Sequence, residues 1–312
     1  MRPTTCARTL APAVALAMAL FAGDLALAQA PQTARKPRIV VSTTQIADFT
    51  RNIVGDDAEV HCILAPGADP HMYETRPSDA ALAATADLLI QNGLNLEGRT
   101  WMANLARNAG KPLIAATDGI KPLELDEDGH SVPDPHAWFS VTNAAQYVRN
   151  IRDAVSRIDP PNAPRYAARA ELYLAQLRAL DQWIRKQVAT IPPDRRLLVT
   201  SHDAFGYFCN DYGFRHASPV GWSTGDEIGG GATAARRKQV TNQIREMGIR
   251  AVFIETSVDS KLIEQIAREA GVKVAGELYS DSMGPAGSAG ETYIGMMREN
   301  VLRIVAGLND AR

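Results

Sequence analysis

Short apolar runs separated by helix-length amphipathic stretches set the rhythm of this chain. Ile39 to Ser42 (IVVS) reads as a buried strand, and Ala47 to Val54 as a helix ending at Gly55. Glu59 to Leu64 is a second strand, closed by Pro66-Gly67. Ser78 to Thr85 opens a helix, with Ser78 as its N-cap. Leu88 to Gln91 (LLIQ) is a third strand, Leu96 to Asn108 a helix, and Leu113 to Ala115 a fourth strand. Strands this short, alternating with helices, predict βα units and a mostly parallel sheet.

The rhythm then breaks. Asn143 to Arg157 reads as a helix, ended by Asp159-Pro160-Pro161. From Ala163 to Thr190 there is no glycine and, past the first turn, no proline. Ala163, Ala167, Ala170, Leu174, Leu177, Ile184 and Val188 follow helical spacing. One helix over this stretch would be roughly 42 Å long. Two helices in a bundle are the alternative, but no turn signal divides the run, and one long helix is expected. Beyond Ile191-Pro192-Pro193 the βα pattern resumes. Leu197 to Thr200 (LLVT), Ala251 to Ile254 (AVFI) and Lys273 to Ala275 read as strands. Ala204 to Asp211, Thr233 to Met247, Lys261 to Ala270 and Thr292 to Ala306 read as helices.

The first thirty residues are unlike the rest. Arg2 and Arg8 precede an almost wholly apolar run, Leu10 to Ala22, and Ala26-Leu27-Ala28 follows as a small-residue cleavage site. This is the pattern of a secretory signal peptide, and about 13 apolar residues fall short of a membrane span. Cleavage is expected after Ala28, leaving a soluble exported protein that begins at Gln29 and is most simply periplasmic. Cys6 lies ahead of the apolar run, so it is not placed to carry a lipid. The full chain has 312 residues and a formal net charge of -2, with no basic excess for a nucleic-acid partner. After the leader only Cys62 and Cys209 remain; an oxidising compartment permits a disulfide between them, and buried free thiols are an equal alternative.

Of six histidines, His71 and His136 sit in the same tripeptide, Asp69-Pro70-His71 and Asp134-Pro135-His136. Proline stiffens its own backbone and restricts the residue before it, so each histidine leaves a rigid loop, as a metal ligand requires. His202 follows the strand LLVT directly, at the strand end where α/β proteins bind ligands. A lone histidine is more often structural than ligating; three on such loops make a metal site a fair reading. His61 is assigned to a strand, His130 to an exposed acidic loop, and both, with His216, to structural roles.

The segments VVSTTQIADFTRNIVGD, PGADPHMYETRPSD, NGLNLE, DPHAWFS, SHDAFGYF and GELYSDSMG together resemble one receptor class. They are similar, in order and rough spacing, to the periplasmic metal-binding proteins of zinc and manganese ABC importers, the TroA-like family. The resemblance runs from about Ile39 to Leu308. It implies two α/β lobes with mostly parallel sheets flanked by helices, joined by one long backbone helix, a TroA-like chelatase-type fold. On that basis residues 1–28 are the signal peptide, 29–160 the N-terminal lobe, 161–191 the linking helix and 192–312 the C-terminal lobe. It also implies one divalent ion in the cleft, held by His71, His136 and His202 and by Asp281 of SDSMG. Asp281 is one of 35 acidic residues and is singled out by the resemblance alone. Glu255, just after the strand AVFI, is a candidate to orient a ligating ring.

Three neutral imidazoles and one carboxylate suit zinc, and histidine must be deprotonated to bind it. Two departures bear on the metal. Zinc-dedicated relatives often carry a long histidine-rich loop where this chain has LELDEDGHSVPDPH, short and acidic. Manganese-dedicated relatives commonly have glutamate at the position of His202. Zinc is expected to bind tightest, with manganese as the second candidate. The implied partner is an inner-membrane ABC permease with its cytoplasmic ATPase, and the receptor is expected to be a monomer. The competing reading is a periplasmic zinc-dependent hydrolase. It needs an open metal position and a general base, and the chain has no HExxH.

Overall fold

The computed structural model describes residues 35–127, 130–219, 234–249 and 251–309. The signal peptide expected at residues 1–28 lies outside them. Four parallel strands open the fold: β1 (Arg38–Val41), β2 (Glu59–Cys62), β3 (Leu88–Gln91) and β4 (Leu113–Ala115). They stand in the order β2-β1-β3-β4. Both faces of the central strands are covered, which is why their sequences are apolar throughout. Ile39, Val41 and Ile90 face the main core, whereas Val40 and Leu89 pack with Ala83, Trp101, Met102 and Leu105. Those partners come from α2 (Pro77–Ala84) and α3 (Trp101–Ala109), while α1 (Thr44–Val54) joins the main core.

Two helix starts differ from the pattern reading. Pro77 occupies the first turn of α2, so the cap position falls on Arg76 instead of Ser78. Asp79 does the capping: its Oδ2 accepts the Arg76 N–H at 2.7 Å and the Tyr73 hydroxyl at 2.7 Å. The start of α3 is delayed to Trp101, because NGLNLE folds around the buried Glu97. That carboxylate accepts from Ser42 Oγ, Asn92 N and Gly93 N at 2.6, 2.6 and 3.2 Å. Leu94 and Asn95 take left-handed φ of 52° and 67° to make the turn.

After β4 the chain forms an antiparallel hairpin, β5 (Glu124–Glu127) with β6 (His130–Pro133). Residue His130 therefore opens a strand, where a loop was expected; ELDE and HSVP lack the apolar alternation that marks strands. Next come α4 (Val141–Ile158), capped by Ser140 Oγ on the Asn143 N–H, and α5 (Ala163–Val188). The long helix is uninterrupted over 26 residues. Its buried stripe begins at Tyr166, while Ala163 is half-buried and Ala167 exposed. The Tyr166 hydroxyl donates to Asp159 Oδ2 at 2.5 Å, tying α5 back to the end of α4. The guanidinium of Arg169 on α5 caps α1, donating to Val54 O at 2.8 Å and Asp57 Oδ2 at 2.7 Å. A cation at a helix C-terminus is favourable. Gly55 is needed beside it, with φ +53° and a would-be Cβ only 3.0 Å from that guanidinium.

The second half pairs β7 (Leu197–Val199) with β8 (Arg215–Ala217) and β9 (Ala251–Glu255) with β10 (Lys273–Leu278), each pair parallel. β7 runs beside β9. The strand β8, which carries His216, has no apolar run to mark it in sequence. Among the described residues the half also contains helices α6 (Gly206–Tyr212), α7 (Ala234–Glu246), α8 (Lys261–Ala270) and α9 (Tyr293–Asn309). α5 packs against α1, α4 and α9. At that junction Phe49 contacts Tyr147, Tyr173 and Tyr293, its ring centroid 5.7, 6.2 and 4.8 Å from theirs. One core cluster thus runs from Ile39 to Leu308 across both halves, and Lys36–Arg312 forms a single compact unit. Cys62 and Cys209 are separate thiols, and burial pushes the Cys62 thiol up to about 12.

Candidate metal centre

Four loops converge where these elements end. His71 lies between β2 and α2, His136 between β6 and α4, His202 just past β7, and Asp281 just past β10. All four are buried, none more than 3% exposed. Their ligand atoms lie within 4.8 Å of one another. Asp281 Oδ2 is 3.3 Å from His202 Nε2 and 3.8 Å from His71 Nε2, and its Oδ1 is 3.4 Å from His136 Nε2. Metal–ligand bonds of about 2.0–2.1 Å at tetrahedral angles place ligand atoms about 3.3 Å apart. The Nε2 atoms of His136 and His202 and both Asp281 oxygens are buried without a hydrogen-bond partner. A group of this kind is costly unless something fills it. Three imidazole nitrogens and a carboxylate fit a divalent ion.

The histidine-bearing tripeptides fold alike. Asp69 Oδ1 accepts the His71 N–H at 2.8 Å, and Asp134 Oδ1 accepts the His136 N–H at 2.9 Å. Asp134 Oδ1 also lies 2.8 Å from His136 Nδ1, which leaves Nε2 to face the cluster. Carbonyls in both tripeptides are held from outside. Trp101 Nε1 donates to Pro70 O at 3.1 Å, Asn92 Nδ2 to Pro135 O at 2.9 Å, and the Tyr207 hydroxyl to Asp134 O at 2.9 Å. Tyr147 fixes Asn92 in turn, donating to its Oδ1 at 2.6 Å. These supports were invisible to spacing arguments, although NGLNLE and SHDAFGYF contain two of them.

Glu255 ends β9, one residue inside the strand that sequence placed before it. Its Oε1 accepts the His202 N–H at 2.9 Å, and its Oε2 lies 2.6 Å from His202 Nδ1. His202 is thus oriented as His136 is, by a buried carboxylate behind the ring. His61 and His216 stay apart from the cluster. His61 lies on β2 beside Glu59, and His216 on β8 contacts Asp203 and Thr200 at 2.8 and 2.9 Å.

Burial and charge divide the three rings. Burial drives His71 down to about 3, against the pull of Asp281. Burial also disfavours charge on His136, but Asp134 and Asp281 outweigh it and hold that ring up at about 9. Glu255 and Asp281 do the same for His202, which stays well above the usual histidine value. Asp281, despite its burial, is held well below the carboxylate range by the three imidazoles. Without an ion, His136 and His202 thus favour the protonated form and Asp281 the ionised one. An arriving ion therefore competes with protons for these two rings.

The sequence matches the family model described as zinc-uptake complex component A, periplasmic, over residues 39–307. The manganese-binding lipoprotein MntA of Halalkalibacterium halodurans is 38% identical over 275 residues, covering 87% of this chain and 88% of that protein. The periplasmic zinc-binding protein TroA of Treponema pallidum superposes with a TM-score of 0.81 at 33% identity, over 88% of this chain and 99% of that one. The Mn-bound periplasmic metal-binding protein of Candidatus Liberibacter asiaticus gives 0.78 at 32% identity, over 88% of this chain and 100% of that one.

Proposed function

Because the chain belongs to the family of periplasmic zinc-uptake component A proteins, we propose that it captures one divalent metal ion and delivers it to an ABC importer. The ligands are His71, His136, His202 and Asp281. The observation that carries this reading is the buried convergence of three imidazole Nε2 atoms on one carboxylate. The ion is cargo, bound in exchange for protons and released intact. Four protein ligands close the site, which suits holding an ion more than activating a water on it. Relatives of this chain are receptors, and nothing among them supports the hydrolase.

Zinc is the tightest expected ligand, since three nitrogens favour it over manganese at equal availability. The relatives divide between the two, with zinc-binding TroA and manganese-binding MntA both near. The receiving partner is an inner-membrane permease with its cytoplasmic ATPase, and the receptor acts as a monomer. Export follows cleavage of residues 1–28 after Ala28, giving a periplasmic protein. Residues 29–160 and 192–312 act as two lobes on the linking segment 161–191. The test is elemental analysis of protein taken from its native compartment, then competitive zinc and manganese titration of the stripped protein. One equivalent of zinc or manganese is expected; a metal-free protein that titrates with neither would overturn the reading.

A further inference from the structure

An ion enclosed by four buried ligands cannot leave unless a segment moves, and the segment carrying Asp281 is fastened in an unusual way. Its neighbours are held from the other half of the molecule. Gln45 Nε2 donates to Ser280 O at 3.2 Å on one side of Asp281. On the other side, the Met283 N–H donates to Thr44 Oγ1 at 2.9 Å. The Thr44 hydroxyl in turn donates to Gln45 Oε1 at 3.2 Å, which turns the amide so that its NH₂ faces Ser280. Gly67, in the loop that leads to His71, adds a third bond, its N–H donating to Ser282 Oγ at 2.7 Å. Thr44, Gln45, Ser280, Ser282 and Met283 are all buried.

Adjacent residues in the first turn of α1 thus grip the backbone on both sides of the one anionic ligand. The three bonds are polar, so water can take over each group when the Asp281 segment lifts away. The aromatic junction around Phe49 has no such substitute. Separation is therefore cheapest at this grip. We propose that Thr44 and Gln45 are positioning residues that set the rate of ion release, by holding the Asp281 segment against the histidines until the ion leaves. This rests on the metal-receptor reading.

The test is stopped-flow release of zinc from the full mature chain into excess chelator, with association followed separately. Thr44→Val keeps the shape but leaves the Met283 N–H unpaired in the closed state and hydrated in the open one. Release should quicken roughly tenfold, as for one unpaired buried donor. Gln45→Met should behave likewise, and Thr44→Ser, which keeps the hydroxyl, should stay near wild type. Association and the metal-free melting temperature should hardly move, which a merely structural role would not allow. Release from Thr44→Val and Gln45→Met within about twofold of wild type overturns the proposal. So does a fall in metal-free stability that Thr44→Ser fails to restore. A wild-type chain that takes up no zinc overturns the receptor reading as well, whereas wild-type uptake with unchanged variant kinetics overturns this proposal alone.

Discussion

His136 and His202 show how a buried carboxylate changes what an imidazole does. Each ring is backed through Nδ1, by Asp134 or Glu255, and each holds its proton to higher pH than a free histidine. An incoming ion must displace those protons, so affinity should climb with pH. The rise is about one decade per pH unit for each proton displaced, up to about 9 for His136. His71, held down at about 3, contributes nothing in that range. The metal-free fold moves the other way: the raised His136 stabilises it fully below about 6.5 and loses that stabilisation as pH rises towards 9. The gap between zinc-loaded and metal-free melting temperatures should therefore widen from pH 6.5 to 9. A constant gap would mean the rings bind already neutral. Glu255→Gln keeps the shape and removes the charge behind His202; zinc should bind about 10–100-fold more weakly in competitive titration. His136→Ala, which removes a ligand outright, should cost more than that and abolish the zinc-induced thermal shift. At this scale the sequence was legible where proline marks a stiff loop, at His71 and His136. Asp281 had no local signal among 35 acidic residues, because its role is set by three partners distant in the chain.

Between elements, contact distances decide which substitution harms what. Gly206 opens α6, and a Cβ there would stand 2.7 Å from Asp134 Oδ2. Gly206→Ala should push Asp134 off His136 and weaken zinc binding, measured by titration, with a smaller effect on metal-free stability. Gly307 in α9 is the contrasting case, since its Cβ would meet Ala275 Cβ at 2.7 Å and the Phe253 ring at 2.8 Å. Gly307→Ala should cost about 1–3 kcal/mol in denaturant unfolding, as overpacking does, and leave zinc affinity intact. The elements themselves were legible in proportion to their periodicity. α5 showed because nothing after its first turn could break it, and α8 because Gly271 ends it. The β5–β6 hairpin and β8 did not show, since neither buries the alternating apolar set that betrays a strand. The late start of α3 hid behind Glu97, whose three hydrogen bonds are made to residues no helical pattern points to.

For the whole molecule, the decisive fact is that one core serves both halves. α5 is packed against α1, α4 and α9, and the Phe49 junction fills the space between them. Bending at α5 would open that core, so ion loss should not swing the halves apart. X-ray scattering of zinc-loaded and stripped protein should show radii of gyration within about 1 Å, against roughly 19 Å for a compact chain of this size. A change of several ångströms would show a hinge that the packing forbids.

The spacing of the ligands has a further consequence. More than 60 residues separate each of the four converging side chains from the next, and each stands on a different loop. No fragment of the chain owns the site, and an unfolded thread owns none of it. If export carries the chain across a membrane in that form, it arrives empty whatever metals surround its ribosome. Its first ion is taken up only where both halves have already found each other, so the place of folding chooses the supply from which it is loaded.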